Sequence, residues 1–251
     1  MNNRIVWVSV AAAVSGCANI EGVYPTPEVD DSSVDTDATE SSDPDGGAGP
    51  SNAPEEPTDT GSLIRADGTT GCRDVQTGRI TEGARAELNG VTVTTPMGIR
   101  APGFFVQDPG GGPWSGLWVY LDEANADVER GDVIDVSGTV AEWHGLTELI
   151  VNESVEISDT AVDRTVDAST LMTIPPDWEP YEGVVITLEG VALSGAQDDR
   201  GNPMTNWYIG IADTFMDVSM IGGSYRQVTG VLTYNWGSYK LAPRSAADFQ
   251  R

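Results

Sequence analysis

Val136-Ser-Gly138-Thr-Val140-Ala-Glu-Trp143-His144-Gly145-Leu-Thr-Glu148-Leu149 aligns without a gap on Val228-Thr-Gly230-Val-Leu232-Thr-Tyr-Asn-Trp236-Gly237-Ser-Tyr239-Lys240-Leu241. The valine, both glycines and the last leucine recur at a constant offset of 92. Each copy reads as a strand, a two-residue turn and a returning strand, because apolar residues alternate on either side of a turn glycine. A repeat spaced this far apart is too long for a solenoid and suits a small domain. Working outward, Leu88-Asn-Gly90-Val91 matches Leu188-Glu-Gly190-Val191, and Phe105-Val106-Gln-Asp108 matches Gly210-Ile211-Ala-Asp213. A glycine inside a strand marks a bulge or sharp bend.

The first half predicts strands at Glu87–Thr95, Gly103–Asp108, Gly116–Leu121, from Gly131-Asp132 through Val140, and Leu146–Ile157. Pro109-Gly-Gly-Gly-Pro-Trp-Ser115 is turn chemistry between the second and third. Glu123–Arg130 has room for one helical turn. The second half predicts Gly183–Leu193, Trp207–Ala212, Phe215–Met220, Arg226–Tyr234 and Tyr239–Leu241. No segment carries a sustained helical period. Five short strands per unit, the first long and bent, predict an all-β protein of two small five-stranded barrels in tandem. The expected boundaries are 63–160 and 161–251.

The N-terminal part is a different material. Arg4 precedes the apolar run Ile5–Val14, followed by Ser15-Gly16-Cys17. A positive start, a short apolar stretch and small residues before a cut site form an export signal. The run is shorter than the ~20 residues a membrane span needs. Val14-Ser15-Gly16-Cys17 resembles the lipobox of bacterial lipoproteins. That resemblance implies a signal peptide at 1–16, cleavage before Cys17 and a diacylglycerol on its sulfur. It also implies an exported, membrane-anchored protein, with the outer membrane favoured because Ala18 is not an aspartate.

Residues 17–62 follow as a linker rich in Asp, Glu, Ser, Thr, Pro and Gly, without Lys, Arg, Phe or Trp. Such a segment cannot bury enough apolar surface to offset its ordering entropy and is expected to be disordered. Flexible-chain statistics let it reach roughly 35–40 Å, and like-charge repulsion extends it further.

The net charge is −26, and Lys240 is the sole lysine. An acidic surface repels phosphate backbones and anionic headgroups, which disfavours non-specific nucleic-acid binding and leaves membrane attachment to the lipid. With Cys17 lipidated, no intrachain disulfide is expected, and Cys72 either pairs between chains or, the reading favoured here, is buried near a strand start.

The run Gly103-Phe-Phe-Val-Gln-Asp108, then Ser115-Gly116-Leu-Trp118-Val119, Gly131-Asp132 to Val140 and Gly145-Leu-Thr-Glu-Leu149 resembles an OB-fold-like module. Such modules stand beside catalytic domains in secreted bacterial nucleases and phosphoesterases. The second half is similar but more divergent, like the tandem OB-like halves of predicted myxobacterial lipoproteins. The resemblance implies a fold and a binding style rather than an activity.

Catalytic constellations are missing from the pattern. His144 is the only histidine and lies in a turn, there is no nucleophile elbow, and no Cys/His spacing suits zinc. Gln197-Asp-Asp-Arg-Gly201-Asn lacks the alternating ligands of a calcium loop and reads as a hairpin turn. No enzyme activity, metal or cofactor is expected. Aromatics crowd the strand ends, where OB folds stack bases or sugars. The candidate ligand-binding residues are Trp114, Trp118, Tyr120, Trp143, Trp236, Tyr239 and Lys240. Strand alternation puts Trp118 and Tyr120 on the face opposite Leu117, Val119 and Leu121. They are expected either to form an outer patch or to pack on the second unit. The function expected is a non-catalytic envelope or cell-surface module binding a protein or glycan. The alternative is a single-stranded nucleic-acid binder serving a secreted nuclease.

Overall fold

The computed structural model describes residues 70–122, 124–152, 155–159 and 166–251. The expected signal peptide at 1–16, the expected lipidation site Cys17 and the expected linker 17–62 lie outside them. The described chain is all-β, in two sheets. The first holds β1 (Arg85–Val93), β2 (Gly103–Gln107), β3 (Gly116–Leu121), β4 (Val133–Trp143), β5 (Leu146–Val151) and β6 (Glu156–Asp159). The second holds β7 (Ser169–Leu171), β8 (Val185–Gln197), β9 (Pro203–Thr205), β10 (Gly210–Ile211), β11 (Ser224–Asn235), β12 (Ser238–Ala242) and β13 (Phe249–Gln250).

The two sheets share one pairing scheme. In the first the order is β1-β2-β3-β5-β4, and β4 pairs back onto β1. In the second the order is β8-β9-β10-β12-β11, and β11 pairs back onto β8. One pair within each circuit is parallel, β3 with β5 and β10 with β12. Gly138 and Gly230 occupy equivalent strands, opposite Ala86 and Ile186 respectively.

Packing explains why these glycines and the following leucine recur together. A Cβ on Gly138 would stand 2.3 Å from the Ile150 carbonyl oxygen and 2.9 Å from Leu149 Cγ. On Gly230 it would stand 2.8 Å from the Ala242 carbonyl oxygen and 2.9 Å from Leu241 Cγ. The hairpin tips are also equivalent. His144 and Gly145 have φ of 52° and 87°, and Trp236 and Gly237 have 55° and 84°. Two successive positive φ values are what a tight hairpin needs to match strand twist.

Gly90 (φ 62°) lies where the β1–β4 register shifts between Leu88 and Val91, and its N–H donates to Asp135 Oδ1 at 2.6 Å. Gly190 has nearly the same φ of 61°, yet the β8–β11 register runs on unbroken past it.

The copies diverge where the sequence-based strands were weakest. Of the expected strand Trp207–Ala212 only Gly210–Ile211 is strand, as β10, third in the second sheet; β9 stands second, and Phe215–Met220 holds no strand. Thr205 breaks the pattern, because its hydroxyl accepts Trp207 N–H at 3.2 Å and donates to the Ile209 carbonyl at 2.8 Å. Those bonds close a turn in which Tyr208 has φ 59°. Downstream, Asp217 Oδ1 accepts Ser219 N–H at 2.8 Å and turns the chain again. Phe105 lies on β2 while Gly210-Ile211 forms β10, the counterpart of β3, so that apparent match does not join equivalent strands.

Residues 124–130 are not helical, and the single strand expected at Leu146–Ile157 is split into β5 and β6. The short helix α1 (Cys72–Gln76) was not foreseen. Its apolar content is too small to show a period. It is held instead by the Asp108 carboxylate, which accepts Cys72 N–H at 2.9 Å and Arg73 N–H at 3.2 Å from 35 or more residues away.

Two cores lie inside the circuits and a third between them. Leu88, Phe104, Val106, Leu117, Val119 and Leu149 fill the first, and Cys72, at 0% exposure, closes one end of it. Ile186, Leu188, Ile211, Leu232 and Leu241 fill the second. The alternate residues of the same strands face outward and meet: Phe105, Trp118 and Leu146 from one sheet, Val185, Val231, Ala242 and the loop residue Phe215 from the other. Burial on both faces is why all five residues of β2 are inaccessible.

Candidate functional site

The third core does not close completely. At one end of the contact between the sheets is a cleft of about 520 Å³. Its base is Phe105 and Trp118, whose rings meet edge-on with centroids 4.8 Å apart. Phe215 packs 6.2 Å from Phe105 and 6.4 Å from Trp118. Alternation along β3 turns Tyr120 the same way as Trp118. Parallel pairing sets Glu148 beside Trp118 and Ile150 beside Tyr120. The hairpin tips supply the rim, with Trp143 58% and Trp236 51% exposed.

The two tips touch each other. The His144 ring stacks on Trp236 with centroids 3.5 Å apart and meets Trp143 edge-on at 4.6 Å. Arg200 places its guanidinium 4.1 Å from the Trp236 ring centroid. A Cβ on Gly145 would lie 2.4 Å from the Tyr234 ring, so a glycine is what lets the first hairpin seat against β11.

Charge in the cleft is uneven. Asp122 is an exposed carboxylate. Arg100 is paired with Asp213. Glu148 is 6% exposed and, among the described residues, has no hydrogen-bond or ion-pair partner. Burial, reinforced by the nearby charge of Glu142, pushes its carboxyl up to about 7.

Four of the seven sequence candidates converge here: Trp118, Tyr120, Trp143 and Trp236. Trp118 is 5% exposed and belongs mainly to the contact between the sheets. The other three are elsewhere. Trp114 is half-buried in the β2–β3 loop with φ 67°, its N–H on the Pro180 carbonyl. Tyr239 stands edge-on to Tyr234 and donates to Glu179; burial, with that bond, raises its phenol well above the usual range.

Lys240 is 2% exposed beside a second, more polar cavity of about 530 Å³. Its ammonium donates to Ser238 Oγ at 2.8 Å and to Asn235 Oδ1 and O at 2.9 and 3.2 Å, with Asp198 3.9 Å away. Burial lowers its pKa, against the pull of Asp198. Its donors are spent on its own hairpin, so it acts as a structural brace. Arg244 and Arg226 likewise bond Asp248 and Gln250.

The Gln197–Asn202 segment is the β8–β9 turn. Asp198 accepts Asn202 N–H at 2.8 Å and Arg200 N–H at 2.9 Å, and the Asn202 amide holds both its oxygens. Among the described residues no group of three or more His, Cys, Asp or Glu is arranged to hold a metal.

Phe105, Arg100, Asp122 and Glu148 were not singled out from the sequence. Alternation from Leu149 inward was a usable signal that Glu148 faces outward. Its place beside Trp118 depends on the parallel β3–β5 pairing, which no local pattern reveals. No family model matches this chain, and neither a curated protein nor a solved structure matches it.

Proposed function

We propose that this chain is an exported, lipid-anchored and non-catalytic binding module, built of two tandem OB-fold-like barrels, whose inter-sheet cleft holds part of a protein or glycan partner. The carrying observation is the cleft itself: aromatic walls, an outward face of β2, β3 and β5, and the β4–β5 hairpin tip as rim. In OB folds the strand 2–3 face and the loop between strands 4 and 5 are the usual contact surface. The closed order β1-β2-β3-β5-β4 with its parallel β3–β5 pair supports that assignment, and its recurrence in the second sheet supports the tandem.

Trp143→Ala removes a ring that is 58% exposed and meets the exposed His144 ring edge-on, so the fold should tolerate it. Retention of envelope proteins or arrayed glycans by the full chain is expected to fall about tenfold, the scale of losing one aromatic anchor. Undiminished retention would remove the cleft from consideration. The nucleic-acid reading is favoured by one feature, the Arg200–Trp236 stack beside exposed Trp143. It predicts single-strand DNA binding that weakens steeply with salt.

Anchoring is tested separately. Cys17→Ser should move the protein from the membrane fraction to the soluble fraction, because the acidic linker offers no electrostatic attachment. A variant that still sediments with membranes would end the lipoprotein reading.

A further inference from the structure

The cleft holds a group that a purely apolar or sugar-stacking site does not need. Glu148 is nine-tenths buried, faces the cavity, and has no partner among the described residues. Its nearest electrostatic influence is another acid, Glu142. A carboxyl that opens onto a largely apolar cleft is partly desolvated, and that cost is relieved by a positive charge placed beside it. Asp122 adds a second carboxylate at the same cavity, while Arg100, the one cation among the described lining residues, is matched by Asp213.

Trp118, Tyr120 and Trp143 supply aromatic surface to the wall, and Trp236 at the rim is already stacked by His144 and Arg200. Aromatic faces attract cations, most strongly when both are partly desolvated. The fold already uses this at the rim, where Arg200 lies over Trp236 at 4.1 Å. A net charge of −26 would also speed the approach of a basic partner.

We infer that the cleft takes the cationic side chain of a protein partner, an arginine or lysine held against the aromatic walls with Glu148 and Asp122 as its counter-charges. This rests on the cleft being the binding site and narrows the partner to a basic peptide segment.

The test uses the full chain and the peptide acetyl-Gly-Arg-Gly-amide, titrated calorimetrically and by tryptophan fluorescence above the pH at which Glu148 ionises. Citrulline has the shape of arginine without its charge. The arginine peptide is expected to bind at least about tenfold more tightly than the citrulline peptide, and the lysine peptide to bind as well. Glu148→Gln keeps the side-chain volume and removes the charge. It should weaken the arginine peptide about tenfold and leave the citrulline peptide unchanged.

Equal affinity for arginine and citrulline, or an unaltered arginine affinity in Glu148→Gln, would overturn the inference. So would binding of neutral oligosaccharides with none of the cationic peptides. If those results came together with a Trp143→Ala variant that still loses its envelope partner, the cleft would stand and only its charge preference would fall.

Discussion

Gly116→Ala should destabilise the described fold by ~3 kcal/mol or more, the upper range of overpacking effects. Gly116 begins β3 and lies directly against the backbone of Gly183, just before β8. A Cβ there would stand 2.1 Å from the carbonyl carbon and oxygen of Gly183 and 2.5 Å from Val184 N. Those are backbone atoms, so no side-chain rotation relieves the clash. Gly183 faces it in the left-handed region at φ 72°, and its own added Cβ would lie 2.6 Å from Gly116 C.

The contact can reopen only if the sheets part. That would break the 3.1 Å bond from Val185 N–H to Gln107 Oε1 and uncover Phe105, Trp118 and Phe215. Urea unfolding followed by tryptophan fluorescence should show a lower midpoint, with increased binding of a hydrophobic dye before the main transition. Gly222 has open space around it and an unrestrictive φ, so Gly222→Ala is the matched control and should be near neutral. Equal midpoints for the two variants would mean the sheets are not locked at this point.

Stability is expected to fall as pH rises from about 4.5 to about 8, and Glu182 is the main reason. Its side chain is wholly buried between the sheets, where Oε1 accepts Thr147 N–H at 3.0 Å. Gln76 Nε2 approaches the same oxygen at 3.5 Å. Glu182 Oε2 and Gln76 Oε1 are both buried acceptors without a donor among the described residues. A proton on Oε2 supplies a donor at that place. Burial, with the charges of Glu179 and Glu142, raises the carboxyl from 4.5 to about 8, against the lowering effect of the Thr147 and Gln76 bonds.

The folded state therefore holds a proton that the unfolded chain releases near 4.5. The stabilisation is complete below that value, declines between the two, and is gone above about 8. A span of this width corresponds to about 3–5 kcal/mol as an order of magnitude. Glu148, raised to about 7, adds in the same direction. General repulsion among carboxylates also grows with pH but is centred near their ordinary values. Glu182→Gln separates the two, since it keeps the Thr147 acceptor and removes the titration. Its stability should exceed that of the parent at pH 8 and fall less than the parent's from pH 6 to 8, the remaining decline being the part due to Glu148. A parent protein equally stable at both ends of the window would rule out this account.

Much of the architecture was legible from local pattern. Leu117, Val119 and Leu121 against Trp118 and Tyr120 is a period-two signal, and the structure sends the first set into a core and the second toward the other sheet. The hairpins at His144-Gly145 and Trp236-Gly237 were legible because positive φ demands glycine at the second place. Short strands such as β9 and β10 were not, because Thr205 and Asp217 turn the chain with side-chain bonds that leave the apolar spacing unchanged.

The candidate site was half legible. The aromatics stood out by type and position. Tyr239 and Lys240 did too, yet their polar atoms are committed to Glu179 and to the Lys240 hairpin. The acids that give the cleft its charge, Glu148 and Asp122, were lost among the chain's 39 carboxylates until burial and strand pairing singled one of them out.

By itself the sequence determined the all-β class, the duplicated strand–turn–strand with its glycines, and the separate acidic character of residues 17–62. These follow from side-chain period, turn stereochemistry and composition, which act between neighbours in the chain. Only the tertiary structure decided that the two sheets share a third core, that Gly116 meets Gly183, that Glu182 is buried against Thr147 and Gln76, and that Glu148 lies beside Trp118. Those contacts depend on which outward faces meet, and each face taken alone looks like an ordinary strand surface.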